Sequence, residues 1–508
     1  MSYETLKLCD ELIDEIRQFR NSEADKVALG NTSADVYETA IRVSLGLADA
    51  SWSKKMFREK AFYYADKSKS AVLLASIADA NAKSFAGIPV SIVEQEKKIK
   101  AEVAYYEQKL AEKPDPAMEQ GYRNELLKWT KTYHDLISDL EEQYPTYYNL
   151  KHNTSIPSIA QIQAYLDPEM AVLSYFVGYN SGRMYVFLIT KKSFKIFDTA
   201  LSDQYDRNIS GYRNAMYYDA PTTYKTTARA LYTQLIPSNI PSGIERLIVV
   251  PSGRMATIPF EALISQNIDE GTTDFTDMPY LINDYVVSYQ YAVSLLLNPS
   301  IEPAATESIA LFAPVDFTGR RLSRLPGSEV EVNDIANLFV GSSADVDLFL
   351  NQEATASAVM TAQVEASKYL HFATHGIVDE DKPEKSQICL AATSTDEGQL
   401  YSGYIYNLQL SADLVVLSAC ETGLGKISRG EGIIGLTRAL IFAGSNNLLV
   451  SLWRVGDAST SILMTDFYRA MLQGNDYTGS LRLAKKGMIS SGTYASPYYW
   501  APFVLIGQ

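Results

Sequence analysis

Two hydrophobic patterns share this chain. To about Tyr148 it reads as helix throughout, rich in Ala, Leu, Glu and Lys with few β-branched runs. From Val90 to Glu112 the pattern is charged and heptad-like. Lys113-Pro114-Asp115-Pro116 then makes a turn, and a second charged helix runs to about Glu142, before Pro145. Two long polar helices across a short proline turn predict a helical hairpin. Ahead of it, Tyr37 to Ala86 has room for helix pairs of the tetratricopeptide kind. Trp52, Ala61, Tyr64 and Ala65 fit that repeat loosely, and no second copy follows at its period.

The pattern changes near Pro157, where short apolar strands begin to alternate with helices. Ala171–Val177, Met184–Ile189 and Phe194–Phe197 predict a meander, and two helices lie between Ser202 and Leu235. Leu247-Ile248-Val249-Val250 is a continuous apolar run closed by Pro251-Ser252-Gly253, as expected of a buried parallel strand. A second series starts after Pro299–Pro303. Its expected strands are Ile309–Phe312, Tyr369–Thr374, Ile388–Ala391, Leu414–Ala419 and Leu448–Leu452. Its expected helices are Glu329–Phe339, Thr355–Ala366, Ile433–Ala443, Ser459–Leu472 and Thr478–Ser490. Such alternation predicts an α/β fold, a mostly parallel sheet flanked by helices and preceded by an all-α region. The expected organisation is 1–88 repeat-like helices, 89–150 a helical hairpin, then two α/β halves at 156–300 and 304–508.

Composition narrows the function. The 508 residues are 46% apolar and 21% charged, which describes a globular chain. A formal net charge of −15 argues against general nucleic-acid binding. The three cysteines, Cys9, Cys389 and Cys420, have no zinc or disulfide spacing, and four histidines leave little for a metal cluster. No metal or cofactor is expected. The first residues are amphipathic and charged, unlike a signal peptide, and no apolar run is long enough to span a bilayer. A reducing cytoplasm is the expected setting.

Ligands of such sheets bind at the carboxyl ends of strands, and two strand ends carry chemistry. One is Tyr369-Leu370-His371-Phe372-Ala373-Thr374-His375-Gly376, with His371 inside the strand and His375 at its end. The other is Leu414-Val415-Val416-Leu417-Ser418-Ala419-Cys420, followed by a glycine-rich loop. Alone, a cysteine ending a buried strand is a small hydrophobe and a histidine in an apolar strand is a core residue. Together, at neighbouring ends of parallel strands, they have the geometry of a thiolate nucleophile and its general base. The N–H groups of Gly376 and Cys420 are the expected oxyanion donors. His371, Cys389 and Cys9 are expected to pack.

These segments resemble the CHAT domain family, caspase-like peptidases related to separase that usually carry tetratricopeptide helices. His371-Phe372-Ala373-Thr374-His375-Gly376 looks like the family's histidine motif, and Leu417-Ser418-Ala419-Cys420-Glu421-Thr422-Gly423 like its cysteine motif. Gly430-Glu431-Gly432, Ser451-Leu452-Trp453-Arg454-Val455 and Asp457 continue the pattern in order, and Leu325-Pro326-Gly327-Ser328-Glu329 precedes it. The resemblance covers roughly Ile156 to the end. It implies a caspase-type fold, with a pseudo-caspase half before an active half, and cysteine endopeptidase activity on a protein substrate with His375 and Cys420 as the dyad. It also implies control by a protein or ligand sensed through the helices, often in antiphage or cell-death-like systems. In related bacterial systems the substrate is a gasdermin-like pore former.

Ser418, Trp453, Arg454 and Asp457 are the expected substrate-pocket residues. For Trp453 and Arg454 the competing role is a buried indole and an acid-paired guanidinium. For Asp457 it is a helix cap, and for Glu431 a dipole partner. Lys426 and Arg429 are expected in solvent. Ser418 is small, neutral and two residues before Cys420, so the expected preference before the cut is a medium-sized apolar side chain. The competing readings are a catalytically silent scaffold and a cysteine acyl transferase or esterase.

Overall fold

The computed structural model describes residues 2–19, 23–69, 71, 73–75, 78–79, 88–111, 114–144, 147, 156–269, 271–272, 274–297, 304, 306–317, 320, 322–380, 382–394, 396–418, 423, 425–428 and 432–508. Among them, sixteen strands follow in chain order. They are β1 Met170–Gly178, β2 Arg183–Thr190, β3 Ser193–Ala200, β4 Arg246–Val250, β5 Val286–Tyr289, β6 Ser308–Ala313, β7 Asp345–Leu350 and β8 Tyr369–Phe372. Then come β9 His375–Ile377, β10 Gln387–Cys389, β11 Gln399–Tyr401, β12 Leu414–Leu417, β13 Lys426–Ser428, β14 Gly432–Ile434, β15 Asn447–Ser451 and β16 Phe503–Ile506.

Eleven of these strands form one sheet in the order β3-β2-β1-β4-β5-β16-β15-β12-β8-β6-β7. β1 to β3 are an antiparallel meander at one edge. The other neighbours run parallel except β15 against β16, where strand direction reverses. That reversal is the seam between two α/β halves, each with its own parallel set. Helices cover both faces, so β4, β12 and β15 bury almost every residue, as doubly covered parallel strands require.

The alternation of β1 shows what covers each face. Leu173, Tyr175 and Val177 join the main core, which includes Tyr212, Leu231 and Phe260 from the chain between β3 and β5. Val172 and Phe176 point the other way, into a second core with Tyr37, Ile41, Ala61 and Phe62 from the first helices. Those helices are Tyr3–Phe19, Glu23–Ala50 and Lys54–Lys67. The Phe62 ring meets Phe187 and Phe194 edge-on at 5.8 and 6.2 Å. Asp66, fully buried, accepts from the backbone N–H groups of Val293 and Ser294 at 2.7 and 3.0 Å. Lys69 reaches Ser174 Oγ at 2.9 Å. Two further helices, Val90–Ala111 and Pro116–Gln143, meet across Asp115, whose carboxylate caps the second. Lys97 of the first pairs with Glu365 at 3.1 Å. Thus the helical leader completes the core of the sheet's first half.

Several elements differ from the sequence expectation. Ile388–Ala391 does not enter the main sheet: Gln387–Cys389 pairs with β9 and β11 in a small separate sheet. Thr355–Ala366 is two short helices, Ala356–Val359 and Ala362–Glu365, each capped by a threonine. The helix expected from Ile433 begins at Leu436, because Gly432–Ile434 pairs with Lys426–Ser428 as a hairpin. Edge strand β7 and the closing strands β5 and β16 were not expected. Trp52 lies in a loop, fully exposed, while Ala61, Tyr64 and Ala65 are buried.

Candidate active site

β8 and β12 are parallel neighbours in which Phe372 stands opposite Leu417. His375 is the third residue beyond the first of that pair, and Cys420 the third beyond the second. Cys420 lies outside the described residues, as do Ala419, Glu421, Arg429 and Glu431. Its two expected roles, nucleophile and oxyanion N–H, are therefore read from sequence alone.

His375 does not end the main strand. β8 stops at Phe372, the Ala373 N–H donates to Phe312 O at 2.9 Å, and His375 opens the small sheet opposite Cys389. This splits the chain away from the sheet where a side chain is needed at its rim. The imidazole is 4% exposed and sits 4.8 Å from the Phe317 ring. Its Nε2 lies 2.8 Å from the carbonyl oxygen of Ser323. A carbonyl only accepts, so Nε2 carries the proton and Nδ1 keeps its lone pair. Burial holds the imidazole below its usual range. The Ser323 bond opposes that shift, Arg454 adds to it and Asp457 opposes it. The result is a neutral histidine with one basic nitrogen.

Gly376 is half-buried in β9, opposite Ile388. Ser418 follows β12 directly and, with Asp457, lines a narrow pocket. Ala373, Thr374, Ser451 and Glu331 share its wall. The Ser418 hydroxyl is buried without a hydrogen-bond partner among the described residues. Asp457 is not the cap of its helix: Gly456 holds that position and Asp457 stands in the first turn of Asp457–Leu472. Asp457, named with Ser418 as a pocket residue, shares this wall with it, so an acid 37 residues beyond Cys420 stands beside the slot that Ser418 alone leaves neutral.

Trp453 is buried and donates its indole N–H to Tyr498 O at 3.0 Å, so it supports the rim from beneath. Arg454 is exposed and donates to Ser323 Oγ at 3.0 Å, with no acid as its hydrogen-bond partner among the described residues. His371 is fully buried between Glu331, at 2.8 Å, and Tyr468, at 3.3 Å. Cys389 is buried, and burial pushes its thiol up to about 11, which keeps it protonated and unreactive. Cys9 is partly buried in the first helix, and Lys426 is exposed on β13. Sequence reasoning missed Ser323, whose carbonyl orients His375. Its only signal was its place just before the Leu325-Pro326-Gly327 segment. Among the described residues no group of three or more His, Cys, Asp or Glu stands close enough to hold a metal, and no helix is long and apolar enough to cross a membrane.

This architecture is a caspase-like fold. A solved Saccharomyces cerevisiae separase–securin complex superposes with a TM-score of 0.52 at 8% identity, over 96% of this chain and 37% of that one. A weaker likeness, TM-score 0.36 at 10% identity, is to the Arg-specific cysteine proteinase gingipain R, over 60% of this chain and 74% of that one. The CHAT domain profile matches residues 225–508. That is more than half of the sequence, and the chain belongs to the CHAT domain family. It is also similar to human tetratricopeptide repeat protein 28, with 26% identity over 331 residues, 56% of this chain and 13% of that protein. The mouse protein of the same name is 38% identical over 104 residues, 20% of this chain and 4% of that one. The chain therefore spans a small part of the length of these relatives.

Proposed function

We propose that the chain is a cysteine endopeptidase with His375 as general base and Cys420 as nucleophile. The observation that carries this reading is the state of His375. Its Nε2 proton is engaged by Ser323, its Nδ1 has no hydrogen-bond partner among the described residues, and in sequence Cys420 follows Leu417 by the same three residues by which His375 follows the paired Phe372. In this reading Nδ1 takes the thiol proton and the thiolate attacks the scissile carbonyl carbon. The oxyanion forms against the N–H groups of Gly376 and Cys420. Collapse breaks the C–N bond, the imidazolium returns its proton to the leaving amine, and water hydrolyses the thioester.

The acid-lined cavity supports a Lys or Arg side chain before the cut in place of an apolar one. Asp457 supplies the charge, and the Ser418 hydroxyl, which has no hydrogen-bond partner among the described residues, an acceptor. The substrate is a protein, and a gasdermin-like pore former in a defence system is the candidate that the family resemblance suggests. An activating protein or ligand acts through the helical leader. Supporting this, helix Glu23–Ala50 approaches β13, which with β14 forms the hairpin just after the Cys420 segment, and both strands approach the turn Gly253–Thr257. The tetratricopeptide names of the relatives favour a second reading, a silent scaffold.

An acyloxymethyl ketone peptide probe separates the two. Labelling that is lost in both Cys420→Ala and His375→Ala, with unchanged circular dichroism, supports the peptidase. Near wild-type turnover in either variant refutes the dyad.

A further inference from the structure

His375 stands at the end of a relay that begins outside the sheet. The backbone after β15 is fixed from two sides: Ser451 Oγ donates to Trp453 O at 2.7 Å, and the Tyr498 hydroxyl donates to Arg454 O at 3.0 Å. From this base Arg454 Nη2 reaches Ser323 Oγ at 3.0 Å. The carbonyl of the same serine accepts from His375 Nε2. Ser323 itself lies in an irregular segment before helix Pro326–Phe339, so little regular structure holds it.

We propose that Arg454 is a positioning residue: by holding the Ser323 side chain it fixes the Ser323 carbonyl, which keeps the proton on His375 Nε2 and leaves Nδ1 as the base. The proposal rests on the peptidase reading and adds a residue to its machinery. A guanidinium suits the task because its planar, permanently charged fork keeps a set direction where a flexible ammonium does not. Among the described residues no other group makes a hydrogen bond to the imidazole. Asp457, in the same stretch of chain as Arg454, acts through charge, and Phe317 offers a ring. Cys389, opposite on β10, is a neutral thiol.

The test uses the full chain with ¹⁵N-labelled histidine. Its four histidines make the spectrum tractable, and His375 is assigned by its loss in His375→Gln. In the wild type the ring should be the Nε2–H tautomer. Arg454→Ala and Ser323→Gly should each let the Nδ1–H form appear, and Arg454→Lys, which keeps the charge but not the fork's direction, should restore only a small part of the preference. In peptidase assays Arg454→Ala should lower kcat roughly tenfold at nearly unchanged KM, a fraction of the 10²–10⁴ that general-base catalysis supplies. The double variant should lose no more than either single one, because both break one relay. An unchanged tautomer in Arg454→Ala overturns the proposal, as does a raised KM at constant kcat, which would place Arg454 on the substrate. If no protein, wild type included, cleaves peptide, the peptidase reading fails while the ring spectra still judge the relay.

Discussion

Replacing Asp457 by Asn removes one charge from the cavity at nearly constant volume. A substrate ammonium or guanidinium that enters lies about 4 Å from the carboxylate, where unit charges attract by ~4 kcal/mol at an effective dielectric of 20. Asp457 is half-buried, so solvent screening and desolvation reduce this. A net ~2.7 kcal/mol is the working figure, and at 1.36 kcal/mol per decade it is about a hundredfold. The wild type should prefer Lys or Arg over Leu by that factor in kcat/KM, and Asp457→Asn should bring the ratio close to one. Asp457 also sits in a helix first turn, where losing a charge costs roughly 0.3–1 kcal/mol of stability. Discrimination should therefore fall far more than stability. The assay is kcat/KM on matched peptides that differ only at the residue before the cut, with urea midpoints alongside. A preference for Leu or Met in the wild type would refute the reasoning and restore the neutral pocket expected from Ser418. So would an unchanged Arg-to-Leu ratio in Asp457→Asn.

Three other outcomes rest on the same structure. Because burial holds His375 below its ordinary value near 6.5, its neutral, base-competent form persists as pH falls through that value. The acid limb of kcat/KM should then lie below pH 6.5, and a limb above pH 7 would contradict the burial of the ring. Asp66→Ala strips the acceptor from two buried N–H groups and leaves Lys69 without its counter-charge, so it should destabilise by about 3–5 kcal/mol. Hydrogen exchange at Val293 and Ser294 locates the effect, and a loss under about 1 kcal/mol, the scale of one ordinary hydrogen bond, would show that the leader docks without it. A fragment spanning 156–508 should bind an apolar dye and aggregate, because Val172, Phe176 and Phe187 lose their cover. A monodisperse fragment would show that the leader is dispensable to the core.

The elements legible in the sequence were those that a local period encodes. β4, β12 and β15 are short unbroken apolar runs between turn residues, and the pattern located them. The helices at 205–217 and 457–472 keep their spacing and were equally plain. β7 was hidden because it is an edge strand, partly exposed along most of its length. β16 was hidden because four apolar residues at a chain end carry no flanking signal, yet its antiparallel pairing with β15 makes the seam between the halves. The hairpin of β13 and β14 was missed, its first strand read as loop and the end of its second as the start of a helix, because glycine and isoleucine there report neither period.

The site divides along the same line. His375 and Cys420 stood out in the sequence because each follows a mostly apolar run. Ser323 was missed, and Arg454 was read only as a pocket residue, because the two are brought together only by the fold. Arg454 and Ser323 are 131 residues apart, and no local pattern links a guanidinium to a loop hydroxyl at that distance. The leader makes the same point about control. It read as a separate helical region because its composition differs from that of the α/β halves, but Phe62 and Asp66 serve the core of the first half. On the proposed control, an activator of these helices needs no hinge to reach the rest of the chain. Any shift of helix Lys54–Lys67 is felt at once by Val293 and Ser294, and any shift of Glu23–Ala50 by β13. Tight packing converts such small displacements into two discrete arrangements more readily than into a gradual drift.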